Sequence, residues 1–338
     1  MRKLTNIFFS IAVMFSAMNG VVYSKTEDCI PESHAPQAHK GPTIALALGG
    51  GGTRGAAHLG VLRVLQRENI PIDYIAGSSM GAIVGGLYSA GVPLNHIEKM
   101  IDNNKMQKAY LPRRICTSIM LSFVGRIKHL FRQKPYAGIF SGKKFAKFII
   151  DCVPQEKRNI ESLDIPFCAV VTNLRDGQAY RLTKGDLGKA LLASAAIPPM
   201  VRPVEIDGNL FVDGAIRANV PTVPAEQFNP GLIIAVSVDE ELKPVDIKNF
   251  TSLKSIANRV ASIVLTVVDA FHLQKADVAI VPDVSGITIL SDNPEDVRKA
   301  IKAGEDAAEA SLPEIRKAIA QWSPGKRHSG VKSAQAVK

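Results

Sequence analysis

Gly77-Ser78-Ser79-Met80-Gly81 sets a serine between two glycines, directly after the apolar run Ile72–Ala76. A Gly-x-Ser-x-Gly segment that leaves a buried strand for a helix carries its central serine, here Ser79, on a sharp turn with the hydroxyl free for nucleophilic attack. Gly77 and Gly81 suit that turn, because a side chain at either position would crowd the strand–helix crossing. Upstream, Gly49-Gly50-Gly51-Gly52-Thr53-Arg54-Gly55 offers unobstructed backbone N–H groups at a helix start. A nucleophile and an anion cradle on neighbouring turns are two of the three parts of an acyl-transfer site. Ser78 is a second hydroxyl in the same turn, and a small-residue turn serving only close packing has the same pattern.

The glycine run also matches Gly-x-Gly-x-x-Gly at Gly50, Gly52 and Gly55, the dinucleotide fingerprint. That reading wants an acidic residue at the end of the second strand, and this strand runs into Gly77 instead. A phosphate-binding loop wants Gly-Lys-Ser/Thr, which the sequence does not contain. The stretch Gly50, Gly51, Gly52, Thr53, Arg54, Gly55 therefore reads as an oxyanion hole, with Arg54 either shaping the loop or meeting an anionic head group. For the third part, a base, none of the seven histidines has a persuasive setting. His58 falls inside the first helix, where a structural role fits, and His272 fits the Ser…Asp…His order of an α/β-hydrolase. Asp213-Gly214-Ala215 is the stronger candidate: an aspartate at a strand end, released by the following glycine, can turn its carboxylate into the same crevice. Asp-Gly is also an ordinary turn signal.

Taken together and in this order, GGGxRG, GxSxG and DGA resemble the patatin-like phospholipase family. The resemblance runs from about Thr43 to Val281. It is reinforced by Leu46–Leu62, which resembles the family's bacterial opening, and by Ala193–Pro198 and Ala276–Asp283. Plant patatins carry an acid before the glycine run; Gly49 stands there in this chain, as in bacterial relatives. The resemblance implies a Ser–Asp dyad without histidine, Ser79 the nucleophile and Asp213 its base. It also implies hydrolysis of lipid acyl esters without calcium, cofactor or metal. The implied fold is α/β: three layers, with a mainly parallel central sheet flanked by helices.

The residues alone point the same way. Thr43–Leu48 reads as a buried strand, Ala56–Glu68 as a helix, Ile72–Ala76 as a second strand and Ser79–Ala90 as a small-residue helix stopped by Gly91 and Pro93. That βαβα order predicts a parallel sheet covered on both faces. Further strands are expected at Ile165–Thr172, Gln178–Leu182, Leu210–Val212, Leu232–Val238 and Ala279–Pro282, the first two joined by a hairpin at Asp176-Gly177. Helices are expected over Asp186–Ala196, Leu253–Phe271 and Pro294–Gln321.

The N-terminus stands apart from this pattern. Arg2 and Lys3 precede Ile7–Met18, an apolar run broken only by Ser10 and Ser16, and Val22-Tyr23-Ser24 follows as a cleavage signature. Residues 1–24 are read as an export signal, in preference to an uncleaved anchor, and 25–41 as a polar linker. Residues 42–322 form the patatin-like domain and 323–338 a basic disordered tail. Export leaves the periplasm, the membrane surface and the medium as destinations. The four cysteines show no metal-ligand spacing; two disulfides are possible, but Cys152 and Cys168 fit as small core residues.

With 46% hydrophobic residues among 338, the chain can bury a core without metal or disulfide support. The net charge of +10 is uneven: residues 103–150 contain eleven Lys and Arg and no Asp or Glu. Within this insertion Ile115, Ile119, Phe123, Ile127 and Leu130/Phe131 recur at helical spacing among basic residues. Three readings stand: a basic amphipathic helix over 105–134 on an anionic membrane surface, an ordinary packed helix, or a lid over an acyl groove. Nucleic acid is disfavoured by the scarcity of Tyr and Trp there. Two rival functions remain, a non-catalytic lipid-binding protein and a nucleotide-binding oxidoreductase. Neither the lipid cleaved nor the oligomeric state is written in the sequence.

Overall fold

The computed structural model describes residues 41–103, 105–110, 138–240 and 242–324. The export signal, nearly all of the linker, the amphipathic run at 115–131 and residues 325–338 of the tail lie outside them, as do Cys29 and Cys116.

Four five- to seven-residue strands are buried along their whole length: β1 (Ile44–Leu48), β2 (Tyr74–Ser78), β3 (Phe167–Asn173) and β7 (Leu232–Val236). Strands buried on both faces read as unbroken apolar runs and belong in the middle of an α/β sheet. The others are β4 (Ala179–Leu182), β5 (Val204–Ile206), β6 (Asn209–Asp213) and β8 (Val278–Ile280). Hydrogen-bonded neighbours follow the path β5-β6-β3-β2-β1-β7-β8, with β4 also on β3. From β8 through β3 every pairing is parallel. The far end is antiparallel, β4 and β6 both on β3 and β5 on β6. The fold is thus α/β with a mainly parallel sheet, as expected, and its antiparallel end lies where short hairpin connections replace helical crossovers.

Ten helices join these strands among the described residues: α1 (Ala57–Arg67), α2 (Met80–Ser89), α3 (Leu94–Asp102), α4 (Lys105–Tyr110), α5 (Lys143–Ile150), α6 (Leu187–Ser194), α7 (Ala215–Ala218), α8 (Thr222–Glu226), α9 (Leu253–Leu273) and α10 (Pro294–Gln321). The sequence reading gives no element at α3, α5, α7, α8 or β5. The Asp176-Gly177 hairpin forms, with Gly177 in the left-handed region that its turn requires.

The alternation within β1 sets the two helical layers. Ile44, Leu46 and Leu48 face the larger core, packed by Leu59 and Leu62 of α1, Leu87 of α2 and Ile301 of α10. Ala45 and Ala47 face a smaller core shared with Ala218, Ala225, Phe228 and Ala276. Large side chains on one face and alanines on the other let α7 and α8 lie close to the sheet.

Glycine makes the α1–α10 contact possible. A Cβ at Gly60 would fall 2.0 Å from the Ile301 carbonyl oxygen, and one at Gly304 would fall 2.0 Å from that of Ala57. Backbone against backbone leaves no side chain to give way. Gly304→Ala is therefore expected to cost about 1–3 kcal/mol, the range of overpacked cores, read as a lower urea midpoint; an unchanged midpoint would contradict this packing.

Candidate active site

Ser79 sits between β2 and α2 with φ 50° and ψ −120°, a left-handed conformation that L side chains avoid. Holding a non-glycine residue there costs on the order of 1–3 kcal/mol. The flanking glycines let the surroundings enforce it. A Cβ at Gly77 would lie 2.5 Å from the Ala82 Cα, and one at Gly81 would lie 2.2 Å from the Leu48 carbonyl oxygen. Ser78 ends β2 fully buried, and its Oγ has no partner among the described residues.

The Ser79 hydroxyl donates to Oδ2 of Asp213 at 2.8 Å. Sheet register brings these two residues together across 134 positions of sequence. Ser78 of β2 pairs with Val170 of β3, and Asp213 of β6 pairs with Val171. β4 pairs with Ala169–Thr172 and so occupies one side of β3, which puts β2 and β6 on the other. The two strands approach from opposite directions and meet end to end. Asp213 is held by its other oxygen, which accepts from the Ala215 N–H at 2.9 Å, and by the Thr172 hydroxyl on its carbonyl at 2.9 Å.

Gly214 is needed for closeness rather than for conformational freedom. Its φ is an ordinary −66°, whereas a Cβ there would fall 2.2 Å from the Val170 carbonyl oxygen. Burial pushes the Asp213 carboxyl up to about 6, against the opposing pull of the Ala215 N–H and the Ser79 hydroxyl.

The glycine loop follows β1 and touches the serine turn: a Cβ at Gly50 would lie 2.9 Å from that of Ser79, and one at Gly55 would lie 2.4 Å from the Met80 Cγ. Several of its donors are engaged. Gly50 N–H donates to the Asn219 side-chain oxygen at 3.0 Å, Thr53 N–H to the Ile289 carbonyl at 2.8 Å and Arg54 N–H to that of Gly51 at 3.2 Å. Gly51 and Gly52 N–H have no acceptor among the described residues. Gly52 is left-handed, and a Cβ on it would strike the Ile289 carbonyl oxygen at 2.1 Å.

Arg54 is buried, its Nε donating to the Ile287 carbonyl and its Nη2 paired with Glu240 at 2.7 Å, so the guanidinium shapes the loop. His58 lies beneath, Nε2 against the Gly49 carbonyl at 2.7 Å; burial lowers it to about 4 and keeps the ring neutral. His272 contacts Thr222 and the backbone at Arg217, away from the Ser79–Asp213 bond.

Three polar residues support the site without being legible as part of it. Ser194 at the end of α6 accepts the Ser79 N–H at 3.0 Å and donates to the Val170 carbonyl at 2.6 Å. Tyr110 donates to the Ala195 carbonyl at 2.6 Å. Asn219 donates to Asp269 at 2.9 Å and Asp239 at 3.2 Å while holding Gly50. Burial, then the hydrogen bond and charge of Asp269, push the Asp239 carboxyl well above the usual carboxylate range. Ser194 and Asn219 fall just inside Ala193–Pro198 and just after Asp213-Gly214-Ala215, where the sequence held a signal but no role.

Ser79 opens into a cavity lined by Met80, Ile83, Met106, Tyr110, Phe145 and Ile289, with Gly52 and Thr53 on its wall. Tyr110 and Phe145 meet edge to face at 5.3 Å, so α4 and α5, from either end of the basic insertion, both reach it. Cys152 and Cys168 are free thiols, Cys168 fully buried.

The family model described as patatin-like phospholipase matches residues 46–226. An uncharacterized NTE family protein of Mycobacterium tuberculosis is 37% identical over 198 residues, which cover 59% of this chain and 49% of that protein. Lysophospholipase NTE1 of Mycosarcoma maydis is 30% identical over 203 residues, 59% of this chain and 10% of that one. The match thus spans about half the length of the mycobacterial relative and a small part of the fungal one. Among solved structures, VipD from Legionella pneumophila aligns at TM-score 0.45 and 17% identity, over 82% of this chain and 67% of that one.

The Asp213 carboxyl titrates higher in the folded chain than in the unfolded chain, so its contribution to stability is full below about pH 4 and is lost as pH rises through about 6. That displacement corresponds to roughly 3 kcal/mol. Asp213→Asn keeps the shape and removes the charge. It is expected to be more stable than wild type at pH 8 and to match it near pH 4, measured by urea unfolding. A variant less stable than wild type at pH 8 would contradict the burial argument.

Proposed function

The chain belongs to the patatin-like phospholipase family, and on that premise we propose that it hydrolyses carboxylic esters of lipids through Ser79 and Asp213. The observation that carries this reading is the buried 2.8 Å hydrogen bond from a strained serine hydroxyl to a carboxylate. The fungal relative's name, a lysophospholipase, supports a lipid ester as substrate. So does the apolar wall of the cavity, which suits an acyl chain.

The chemistry runs in two halves. As Ser79 Oγ attacks the ester carbonyl carbon, its proton passes to Oδ2 of Asp213. The carbonyl oxygen gains negative charge and takes hydrogen bonds from Gly51 and Gly52 N–H, donors of a kind worth about 3 kcal/mol each. Collapse expels the lipid alkoxide, which takes the proton from Asp213 and leaves Ser79 acylated. A water molecule then attacks the acyl group as Asp213 accepts its proton; collapse breaks the bond to Ser79 Oγ, which takes that proton back from Asp213, and fatty acid departs. An ester alkoxide leaves more readily than an amide nitrogen, which favours lipids over peptides. Backbone dipoles meet the oxyanion in this scheme, so calcium has no step in it.

Mature protein is expected to release fatty acid from phospholipid or lysophospholipid with chelator present. Ser79→Ala is expected to lose that activity while remaining folded; equal release by both proteins would overturn the assignment.

The base must be ionised to accept the serine proton. Activity is therefore expected to climb through an apparent pKa near 6, the value of Asp213. A flat profile between pH 5 and pH 8 would remove Asp213 from the role.

A further inference from the structure

Helix α9 is built inside out. Its residues turned toward the protein include Ser262, Asp269 and His272, all buried. Asp269 accepts from the Val220 N–H and the Asn219 side chain, both at 2.9 Å, and the His272 carbonyl accepts from the Thr222 hydroxyl at 2.7 Å. Polar side chains thus dock the helix onto α7 and α8. The face turned outward carries Ile256, Val260, Ile263, Val264, Val267 and Phe271, each at least 39% exposed. Spacings of three and four make these one stripe along the helix. A surface helix of a soluble domain shows the reverse arrangement, and a contiguous exposed apolar patch marks an interaction surface.

Apolar exposure continues into the segment that enters the helix, where Ile247 is 82% exposed on a short turn. β7 runs parallel to β1 and β2, so the chain that leads to this entry leaves the sheet at the end that carries the glycine loop and Ser79. Glu240, just after β7, pairs with Arg54 of that loop.

Charge distinguishes the possible occupants. Residues 243–275 hold five Lys and Arg against two Asp. One of those, Asp269, is buried, and the other, Asp246, caps the turn through the Lys248 N–H. Lys275 stands over the Phe271 ring at 5.7 Å. A second copy docking through this stripe would bring basic against basic, with no exposed carboxylate on the helix to answer. An anionic lipid surface complements both the stripe and its charge.

We propose that α9 and its entry turn at Ile247 form an interfacial surface that lies on an anionic bilayer, apolar stripe inward among the acyl chains. The choice of a bilayer rests on the lipid-hydrolase reading, but binding can be tested apart from catalysis. α9 lies in the acyl region's boundary and does not cross it, in keeping with the absence among the described residues of any helix long and apolar enough to span a membrane.

The test uses full-length Ser79→Ala protein, which cannot degrade the vesicles, and flotation with phosphatidylcholine alone or mixed with phosphatidylglycerol. Binding is expected to need the anionic lipid and to weaken with salt. Adding Ile247→Glu, Val264→Glu and Val267→Glu together should weaken it about tenfold or more. In the Ser79 background the same three changes should leave hydrolysis of a soluble short-chain ester within about twofold while release from vesicles falls with binding. Unchanged flotation of the triple variant overturns the proposal. So does a wild-type dimer that the triple variant dissociates without loss of flotation, which would assign the stripe to a second copy. Val267→Trp gives a reading free of charge effects: brominated lipid is expected to quench it while Trp322 serves as the reference, and no quenching would overturn the surface. If wild type shows no esterase activity but floats as described, the catalytic reading falls and the surface stands.

Discussion

The structure depends on one meeting of strand ends. Ser79 leaves β2 beside Val170, and Asp213 arrives on β6 beside Val171, both on the same side of β3. Had β6 run parallel to its neighbours, its carboxyl end would have pointed away from β2 beyond the sheet edge. Because it runs the other way and is only five residues long, it stops at the level of the serine turn. The antiparallel end of the sheet is therefore what makes the hydrogen bond possible. Gly214 exists to let that strand end lie against the Val170 carbonyl, and Ser194 ties the same carbonyl to the Ser79 backbone.

Dryness gives the pair its properties. Both residues are buried, so the carboxylate is less stable than in water and is a stronger base for it. Opposing this, the Ala215 N–H steadies the charged form. The strained serine conformation adds a further cost that the packing of Gly77 and Gly81 sustains. Such trade-offs of stability against reactivity are common where a site must stay poised. Behind the loop, Asn219 answers three groups at once, Gly50, Asp239 and Asp269, so the glycine loop, α7 and α9 share one buried amide.

Much of this was legible in the sequence because it rests on local pattern. Buried apolar runs marked β1, β2, β3 and β7 to within two residues, and glycine spacing marked the serine turn. The length of α10 was plain from Pro294 to Gln321. Strand direction was not legible: Leu210–Val212 looks the same whichever way it pairs. For that reason the glycine of Asp213-Gly214-Ala215 could be read as a hinge when it is a contact surface. β5 was hidden by its three-residue length, and Asn219 by the fact that its three partners come from distant segments. The stripe on α9 was visible as a helical run, but only the buried Ser262, Asp269 and His272 show which side faces out.

The central claim is that Ser79 Oγ is the nucleophile and Asp213 the group that activates it. A phosphonate ester that captures activated serines tests it most directly, with the adduct mapped by peptide mass. The account expects a single adduct, on the peptide carrying Ser79, and its loss in Asp213→Asn. Modification at Ser78 or at another serine, or undiminished modification of Ser79 in Asp213→Asn, would contradict it.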